Sequence, residues 1–356
     1  MPPAPGLSSN TLRQVVHVSL GGKRLRIRFS NQYGSEPVTM NSVNIALSRG
    51  GGTVDSSTHR ALMFNGSAST SLAPGQTIMS DPLDFPLSPL SDLALTIHFG
   101  NTSSNVTGHP GSRATSYLIR GNSANSSTMS PAVTTPHWYI LTAIDVLSDS
   151  SAAAIIVLGD SITDGRGSAT DGNNRWPDCL ARRLVTGSAT PAISVINQGI
   201  GGNAVLSGGL GPPALARFDR DVLQQPGARW LIILEGVNDI GNSQAEEAIA
   251  TNLIAAYEQM IEKAHTRKLR VYGVPILPFA GSRYFSAAHE AARQQVNRWI
   301  RSSGKFDGVI DLEAAVCDPA NPQALLPAYD SGDHLHLNPL GYQTMAEAVD
   351  LTLFSN

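Results

Sequence analysis

Residues 155–168, IIVLGDSITDGRGS, decide how the second half of the chain folds, because an apolar run there ends abruptly in a polar turn. A continuous run of Ile, Val and Leu that stops at Gly159 is typical of a strand buried on both faces, and the residues after it predict the start of a helix. Ser161 on this turn has two interpretations, an N-cap of that helix or a nucleophile. A nucleophilic serine also needs a base, an orienting carboxylate and donors for an oxyanion, so the choice depends on the rest of the chain.

Four more apolar runs follow, and segments with helical periodicity separate them. The runs lie at 192–199, 230–236, 271–278 and 308–313. The alternation predicts an α/β fold, a flavodoxin-like three-layer arrangement with a parallel five-stranded sheet and helices on both faces. Such sheets bind ligands at the carboxyl ends of their strands. The helical spacing is clearest in two sets, Ile249, Leu253, Ala256 and Met260, and Ala288, Ala292, Val296 and Ile300 before a C′ glycine at Gly304.

Residues 12–147 have a different period. In LRIRFS the apolar Leu25, Ile27 and Phe29 alternate with arginines, and LALTIHF repeats the alternation at 93–99. Gly, Pro, Asn and Ser punctuate several similar short runs, and this pattern predicts an all-β, sandwich-like domain. The polar junction SDSSAAA separates the two patterns, so we expect a β domain at 1–150 and an α/β domain at 151–356.

The composition limits the class of partner. The chain has 356 residues, is 41% hydrophobic and carries a formal net charge of -3, which gives no electrostatic basis for binding nucleic acid or an anionic membrane. No segment approaches the ~20 apolar residues of a membrane-spanning helix, and the N-terminus lacks the apolar core of a signal peptide.

Four N-glycosylation sequons occur before residue 130, at Asn65, Asn101, Asn105 and Asn125. They indicate a secreted protein whose leader has been trimmed, with chance sequons in a Ser- and Asn-rich β domain as the alternative. The two cysteines, Cys179 and Cys317, are too few for a disulfide scaffold. They either pair in an oxidising compartment or remain free thiols, and neither lies in a metal-type spacing.

Unusual residues follow the predicted strands at the expected edge of the sheet. Gly159-Asp160-Ser161 ends the first strand, NQGIGGN at 197–203 ends the second, and EGVND at 235–239 ends the third. A fourth block, DHLHLNP at 333–339, precedes the last predicted helix. In this order the four blocks resemble those of the SGNH hydrolases, also called GDSL esterases/lipases, over residues 155–349. The whole chain also resembles a two-domain, secreted branch of that family, in which 151–356 is the catalytic domain.

The resemblance implies roles for five residues. It assigns Ser161 as the nucleophile, His336 as the base and Asp333 as the carboxylate that orients the imidazole. It assigns the oxyanion hole to the backbone N–H groups of Ser161 and Gly202 and to the side-chain amide of Asn238. These residue types suit the roles, because a helix start has free N–H groups, glycine allows close approach and an amide donates without titrating. The three-residue spacing of Asp333 and His336 predicts that they share a face of one helical turn.

The sequence also supports alternatives. The segment 199–204 matches the dinucleotide fingerprint G-x-G-x-x-A, with Asp219 twenty residues beyond its first glycine, but Asp219 does not end a following strand. His334 and His336 are spaced to chelate a metal ion, although no third ligand is evident, and we expect neither a metal nor an organic cofactor. Gly201 is an alternative oxyanion donor.

Three acidic residues near the four blocks have structural interpretations. We expect Asp160 to organise the turn by hydrogen bonding and Asp239 to brace the oxyanion loop. Glu235 is either a buried, hydrogen-bonded strand residue or part of the pocket.

The resemblance implies a serine esterase that hydrolyses carboxylic esters through an acyl-enzyme. A secreted enzyme with a β domain favours short acyl groups, acetyl above all, on a small-molecule or polysaccharide ester. Two alternatives stay open: a lipase or lysophospholipase, and a catalytically silent carbohydrate-binding protein on the same scaffold. Neither nucleic acid nor a membrane is expected as a partner, and the oligomeric state is open.

Overall fold

The computed structural model describes residues 1–187, 192–244 and 246–355. The chain divides into two compact units, Met1–Ser150 and Ser151–Asn356. Each unit has its own large hydrophobic cluster.

The N-terminal unit is built from antiparallel strands, with one short 3-10 helix at Ser56–Thr58. The strands are β1 (Asn10–His17), β2 (Gly22–Ser30), β3 (Val38–Gly50), β4 (Thr53–Val54), β5 (Arg60–Ala61), β6 (Thr70–Leu72), β7 (Thr77–Met79), β8 (Leu83–Leu87), β9 (Asp92–Thr102), β10 (Gly108–Pro110), β11 (Ser116–Arg120), β12 (Val133–Thr135), β13 (His137–Tyr139) and β14 (Leu141–Leu147).

Two larger sheets share the core of this unit, in which every residue is described. One sheet runs β12-β11-β1-β9-β3-β4, with β5 and β6 also paired to β3, and the other runs β14-β2-β7, with β8 paired to β2. Leu25, Ile27 and Phe29 of β2 lie in the same buried cluster as the alternate residues of β9. Each such side chain stabilises the fold by roughly 1.5–3 kcal/mol through burial. The predicted all-β, sandwich-like domain is therefore confirmed.

The C-terminal unit alternates strands and helices. The strands are β15 (Ala153–Gly159), β16 (Ile193–Gly199), β17 (Ala228–Leu234), β18 (Arg270–Gly273), β19 (Gly308–Val309), β20 (Cys317–Asp318) and β21 (Asn321–Leu325). The helices are α1 (Ser161–Asp164), α2 (Trp176–Thr186), α3 (Ala214–Phe218), α4 (Val237–Gly241), α5 (Glu246–Thr266), α6 (Ala287–Ser302), α7 (Leu312–Val316) and α8 (Pro339–Ala348), with a π-helical turn at Asp219–Leu223 and a 3-10 turn at Leu351–Phe354.

A parallel sheet forms the centre of this unit. In the described part of the chain its order is β16-β15-β17-β18-β19, which confirms the predicted five-stranded α/β architecture. Strand β15 is buried along its whole length. The order reverses at β15, because β16 lies on one side of it and β17 on the other, and this is where sheets of this type bind ligands. Gly159 pairs with Gly199 and with Leu234, so three strands end at the same level.

Two predicted helices have the expected buried faces. The four apolar residues spaced along α5 are at most 8% exposed, and Ala292, Val296 and Ile300 of α6 are at most 4% exposed, whereas Ala288 at the start of α6 is only partly buried. Gly304 follows the C-cap Ser303 with φ +68°, which confirms its C′ position.

One strand is shorter than the apolar run at 271–278 predicts. Strand β18 ends at Gly273, because Pro275 and Pro278 have no N–H to donate to a neighbouring strand.

Within the described ranges, no helix is both long and apolar enough to cross a bilayer. Cys179, which is buried, and Cys317 are both free thiols.

Candidate active site

Ser161 lies on a tight turn between β15 and α1. Asp160 is the N-cap, and its Oδ1 accepts a hydrogen bond of 2.9 Å from the Ile162 N–H. This is the turn-organising role expected of Asp160. Ser161 occupies the first helical position, where a backbone N–H has no acceptor within the helix. A Cβ at Gly159 would lie 2.2 Å from Thr163 Oγ1 and 2.8 Å from the Leu234 carbonyl oxygen, so the turn accepts only glycine there.

Asp333 and His336 meet in a loop that precedes α8. Asp333 Oδ1 accepts hydrogen bonds from the backbone N–H groups of Leu335 (3.1 Å) and His336 (2.9 Å). Asp333 Oδ2 lies 2.7 Å from His336 Nδ1. The prediction that the two residues share a helical turn is wrong, because residues 331–338 are irregular and helix α8 begins only at Pro339. The carboxylate reaches the ring because it folds its own loop into a turn.

The imidazole of His336 lies between Asp333 and Ser161. Its Nε2 is 2.7 Å from Ser161 Oγ, and the residue is only 5% exposed. Because Nδ1 faces a carboxylate, the proton belongs on Nδ1 and Nε2 is left to accept the serine hydroxyl. Burial raises the pKa of Asp333, but hydrogen bonds from the His336 side chain and backbone outweigh it and hold the pKa below its usual value.

Gly202 follows β16 in a loop that folds back on itself. Its φ is +73°, a left-handed conformation that glycine adopts without strain. The carbonyl of Gly202 accepts a hydrogen bond of 2.8 Å from the Leu210 N–H. The next residue, Asn203, is fully buried and donates from Nδ2 to the carbonyls of Leu210 (2.8 Å) and Pro212 (2.9 Å). One asparagine side chain thus closes the loop that carries Gly202.

Asn238 lies in the short helix α4, which begins shortly after the end of β17. Its Nδ2 donates to the Asn203 carbonyl at 2.8 Å, which uses one of the two N–H bonds of the amide. Its Oδ1 accepts a hydrogen bond of 2.9 Å from the Tyr284 hydroxyl. Because Oδ1 and Nδ2 each have a partner, the orientation of the amide is determined. The sequence gives no signal for Tyr284, which is 46 residues away, whereas Asn203 lies within the NQGIGGN block.

Three acidic residues, Asp160, Glu235 and Asp239, are buried near the turn that carries Ser161. Asp239 accepts hydrogen bonds from the N–H groups of Val205 (2.8 Å) and Leu206 (2.9 Å), which agrees with a bracing role for the Gly202 loop. Burial raises the pKa of Asp160 to about 7, and it raises the pKa of Glu235 well above its usual value. Among the described residues neither carboxyl oxygen of Glu235 has a hydrogen-bond partner, so its side chain is buried without a hydrogen bond, while its backbone carbonyl accepts one of 2.7 Å from the Tyr257 hydroxyl.

The alternatives fit the structure less well. The segment 199–204 enters an irregular loop, whereas a dinucleotide fingerprint opens a helix. The Nδ1 of His334 lies 2.6 Å from Asp330 Oδ2, and the His334 side chain is about half exposed. Across the described ranges, no group of three or more His, Cys, Asp or Glu residues is placed to hold a metal ion.

The fold and these blocks define a class, the carboxylic ester hydrolases of the SGNH type. Residues 157–344 match the GDSL-like lipase/acylhydrolase family. This is more than half of the chain, which therefore belongs to that family. No curated protein matches the chain significantly.

Several solved structures resemble the chain. A GDSL-like lipase from Bacteroides thetaiotaomicron is 22% identical, with a TM-score of 0.39 over 55% of this chain and 84% of its own. A carbohydrate acetylesterase from Sinorhizobium meliloti is 14% identical, with a TM-score of 0.42 over 55% and 95%. An aryl esterase from M. smegmatis is 16% identical, with a TM-score of 0.42 over 55% and 95%.

Proposed function

We propose that the protein is a serine esterase in which Ser161 is the nucleophile, His336 the base and Asp333 the orienting carboxylate. The observation that carries the proposal is the unbroken series of two 2.7 Å contacts from Ser161 Oγ through the His336 ring to the Asp333 carboxylate. A serine hydroxyl becomes an effective nucleophile only when such a base removes its proton.

The reaction has two halves. Ser161 Oγ attacks the ester carbonyl carbon while His336 Nε2 takes the hydroxyl proton, and Asp333 stabilises the imidazolium that forms. His336 then gives the proton to the departing alcohol, which leaves an acyl-enzyme on Ser161. A water molecule attacks that acyl group by the same route, with His336 again as base, and releases the carboxylic acid. No metal or organic cofactor takes part in this proposal.

The negative charge of each tetrahedral intermediate requires donors. We assign them to the backbone N–H groups of Ser161 and Gly202 and to the second N–H of the Asn238 amide. Three features support the assignment: the helical start at Ser161, the left-handed glycine at 202 and the fixed orientation of the amide.

For the substrate, we propose a short acyl group, acetyl above all, on a carbohydrate. Leu210 is 66% exposed and lies within 3.5 Å of a Cβ placed on Gly202, so one apolar side chain borders the proposed oxyanion position. An exposed apolar side chain in that place can pack against the methyl group of an acetyl ester. The same proposal includes secretion and glycosylation, which are supported by the sequons at Asn65, Asn101, Asn105 and Asn125, all of them exposed.

A substrate panel tests this function. The wild-type protein is offered acetylated mono- and oligosaccharides and p-nitrophenyl esters of increasing chain length, with Ser161→Ala as the blank. We expect release of acetate from the sugars and a steep fall in kcat/KM as the acyl chain lengthens. A rise in kcat/KM with chain length would instead favour the lipase or lysophospholipase. Sugar binding without turnover, and without a fluorophosphonate adduct, would favour the silent binding protein.

A further inference from the structure

Arg217 of α3 is buried directly behind the candidate site, where none of the proposed chemical steps uses it. Its side chain is completely inaccessible to solvent. Enclosing a guanidinium is costly unless its charge is balanced and its donors have acceptors. The partners that this arginine does have are concentrated at the carboxyl end of the sheet.

The guanidinium joins the ends of neighbouring strands. Its Nη2 donates to the Gly159 carbonyl at 3.1 Å, two residues before the proposed nucleophile. Its Nη1 donates to the Gln198 carbonyl at 2.8 Å, at the end of β16. Its Nη2 also lies 3.8 Å from Glu235 Oε2, in the residue that follows β17. One side chain therefore contacts the ends of β15, β16 and β17, from which the proposed oxyanion donors come.

A further contact leads to the donors themselves. Arg217 Nε donates to Asn203 Oδ1 at 3.0 Å, which leaves Nδ2 of Asn203 directed at the Leu210 and Pro212 carbonyls that close the Gly202 loop. The Asn203 backbone carbonyl in turn accepts from Asn238. Both Gly202 and Asn238 are thus held through the one asparagine that Arg217 orients.

The charge balance explains why arginine occupies this position. Asp221 Oδ2 lies 3.2 Å from Nη1, at the i+4 position, and supplies a close counter-charge. The planar fork of arginine addresses acceptors in several fixed directions, whereas the lysine ammonium has three donors on one atom and cannot reach them all.

We propose that Arg217 is a positioning residue that sets the oxyanion donors by fixing Asn203 and the three strand ends. The proposal rests on the esterase function proposed above. It predicts an effect on kcat, because the donors act on the transition state, with little effect on binding of the ground-state ester.

The first test compares two buried arginines. Arg293 is also fully enclosed and also bonded to carboxylates and a carbonyl, but its partners are Glu290, Glu313 and Ile276. Arg217→Lys is expected to lower kcat for p-nitrophenyl acetate roughly 10- to 100-fold, with KM nearly unchanged. A loss of this size is what a displacement of the catalytic groups by about 1 Å produces. Arg293→Lys should lower the Tm by about as much as Arg217→Lys does, while its kcat stays at the wild-type value. Equal kcat for Arg217→Lys and wild type would overturn the proposal.

A double-mutant cycle supplies a readout that general destabilisation does not change. Asn238→Ala alone is expected to lower kcat roughly 100- to 1,000-fold. Added to Asn238→Ala, the Arg217→Lys change should lower kcat by a clearly smaller factor than it does in wild type, because one of the donors that Arg217 positions is already gone. If the two losses multiply in full, Arg217 does not act through Asn238 and the proposal fails.

Asn203→Ala covers the case in which Arg217→Lys does not fold. It cuts the link to the loop and leaves the other Arg217 contacts in place, so kcat should fall with KM unchanged. Wild-type kcat in Asn203→Ala would contradict the proposal. A failure of the underlying function looks different, because then wild type would not hydrolyse the ester or Ser161→Ala would retain full turnover.

Discussion

Two histidines that stand two residues apart have opposite surroundings. His336 is buried between Ser161 and Asp333, whereas the side chain of His334 is 56% exposed and pairs with the loop residue Asp330. His336→Ala should therefore lose nearly all esterase activity, because removing one member of such a unit costs about as much as removing all. His334→Ala is the matched control and should keep kcat within a few-fold of wild type. Initial rates on p-nitrophenyl acetate decide this, and equal losses in the two variants would point to a joint role such as metal binding.

Asp160 makes stability depend on pH. Its native pKa of about 7 exceeds the ordinary value near 3.8, so between these values the native state holds a proton that the unfolded state has released. The stabilisation from this group is complete below about pH 4 and is lost as the pH rises through about 7, at up to about 1.4 kcal/mol per pH unit.

Asp160→Asn tests that dependence. Asparagine keeps an oxygen that caps α1 but does not titrate. Urea unfolding followed by tryptophan fluorescence suits the measurement, since Trp176, Trp230 and Trp299 lie in the C-terminal unit and only Trp138 lies outside it. The variant's unfolding free energy should fall less steeply between pH 4 and 7 than that of wild type. Identical slopes would show that Asp160 has an ordinary pKa.

Among the secondary-structure elements, β16 and α1 pack with almost no space between them. A Cβ on Gly199, the last residue of β16, would lie 2.3 Å from the Asp164 N and 2.7 Å from the Thr163 carbonyl carbon. Both atoms belong to the backbone of α1, so Gly199→Ala must displace the helix that begins with Ser161. We expect a loss of about 1–3 kcal/mol in unfolding free energy together with a clear fall in kcat.

Gly304→Ala separates the two effects. Gly304 has φ +68°, and a Cβ added to it would have no atom within 4 Å. Alanine there therefore costs about 1–2 kcal/mol through backbone strain alone, and its kcat should equal that of wild type. If Gly199→Ala is destabilised to the same degree and also keeps wild-type kcat, the packing of β16 against α1 does not position Ser161.

The elements can be predicted from sequence where the signal is local. The apolar run before Gly159 and the spacing of residues along α5 and α6 depend on neighbours in the chain, and the structure confirms both. The length of β18 and the irregular loop of Asp333 differ from the prediction, because prolines and an aspartate that bonds its own backbone override the apolar and helical patterns. These are competitions between local interactions that periodicity does not capture.

At the scale of the whole molecule, the contacts that sequence patterns do not predict are those between segments far apart in the chain. Four ordered blocks are enough to predict Ser161, Asp333 and His336 as a group, and the structure brings them within hydrogen-bond distance. The roles of Arg217 and Tyr284 cannot be predicted in this way. Arg217 contacts Gly159 across 58 positions, and Tyr284 contacts Asn238 across 46, and no periodic pattern relates residues at such separations.

The two cysteines give a prediction for the whole chain. Cys179 and Cys317 are free thiols, so no covalent link restricts the unfolded chain. The Tm should be the same with and without excess dithiothreitol, and a thiol titration in denaturant should find both sulfhydryls. A disulfide between them would contribute about 2–4 kcal/mol, so a fall in Tm on reduction would contradict the free-thiol state.

If Ser161 forms the acyl-enzyme, a reagent that reacts with activated serines should label that residue. Wild-type protein and Ser161→Ala are each treated with a fluorophosphonate, mapped by peptide mass spectrometry and assayed on p-nitrophenyl acetate. We predict one adduct in wild type, on the peptide that contains Ser161, with activity lost in proportion to labelling, and neither adduct nor turnover in a folded Ser161→Ala. An adduct on another residue, or undiminished turnover by Ser161→Ala, would show that Ser161 is not the nucleophile.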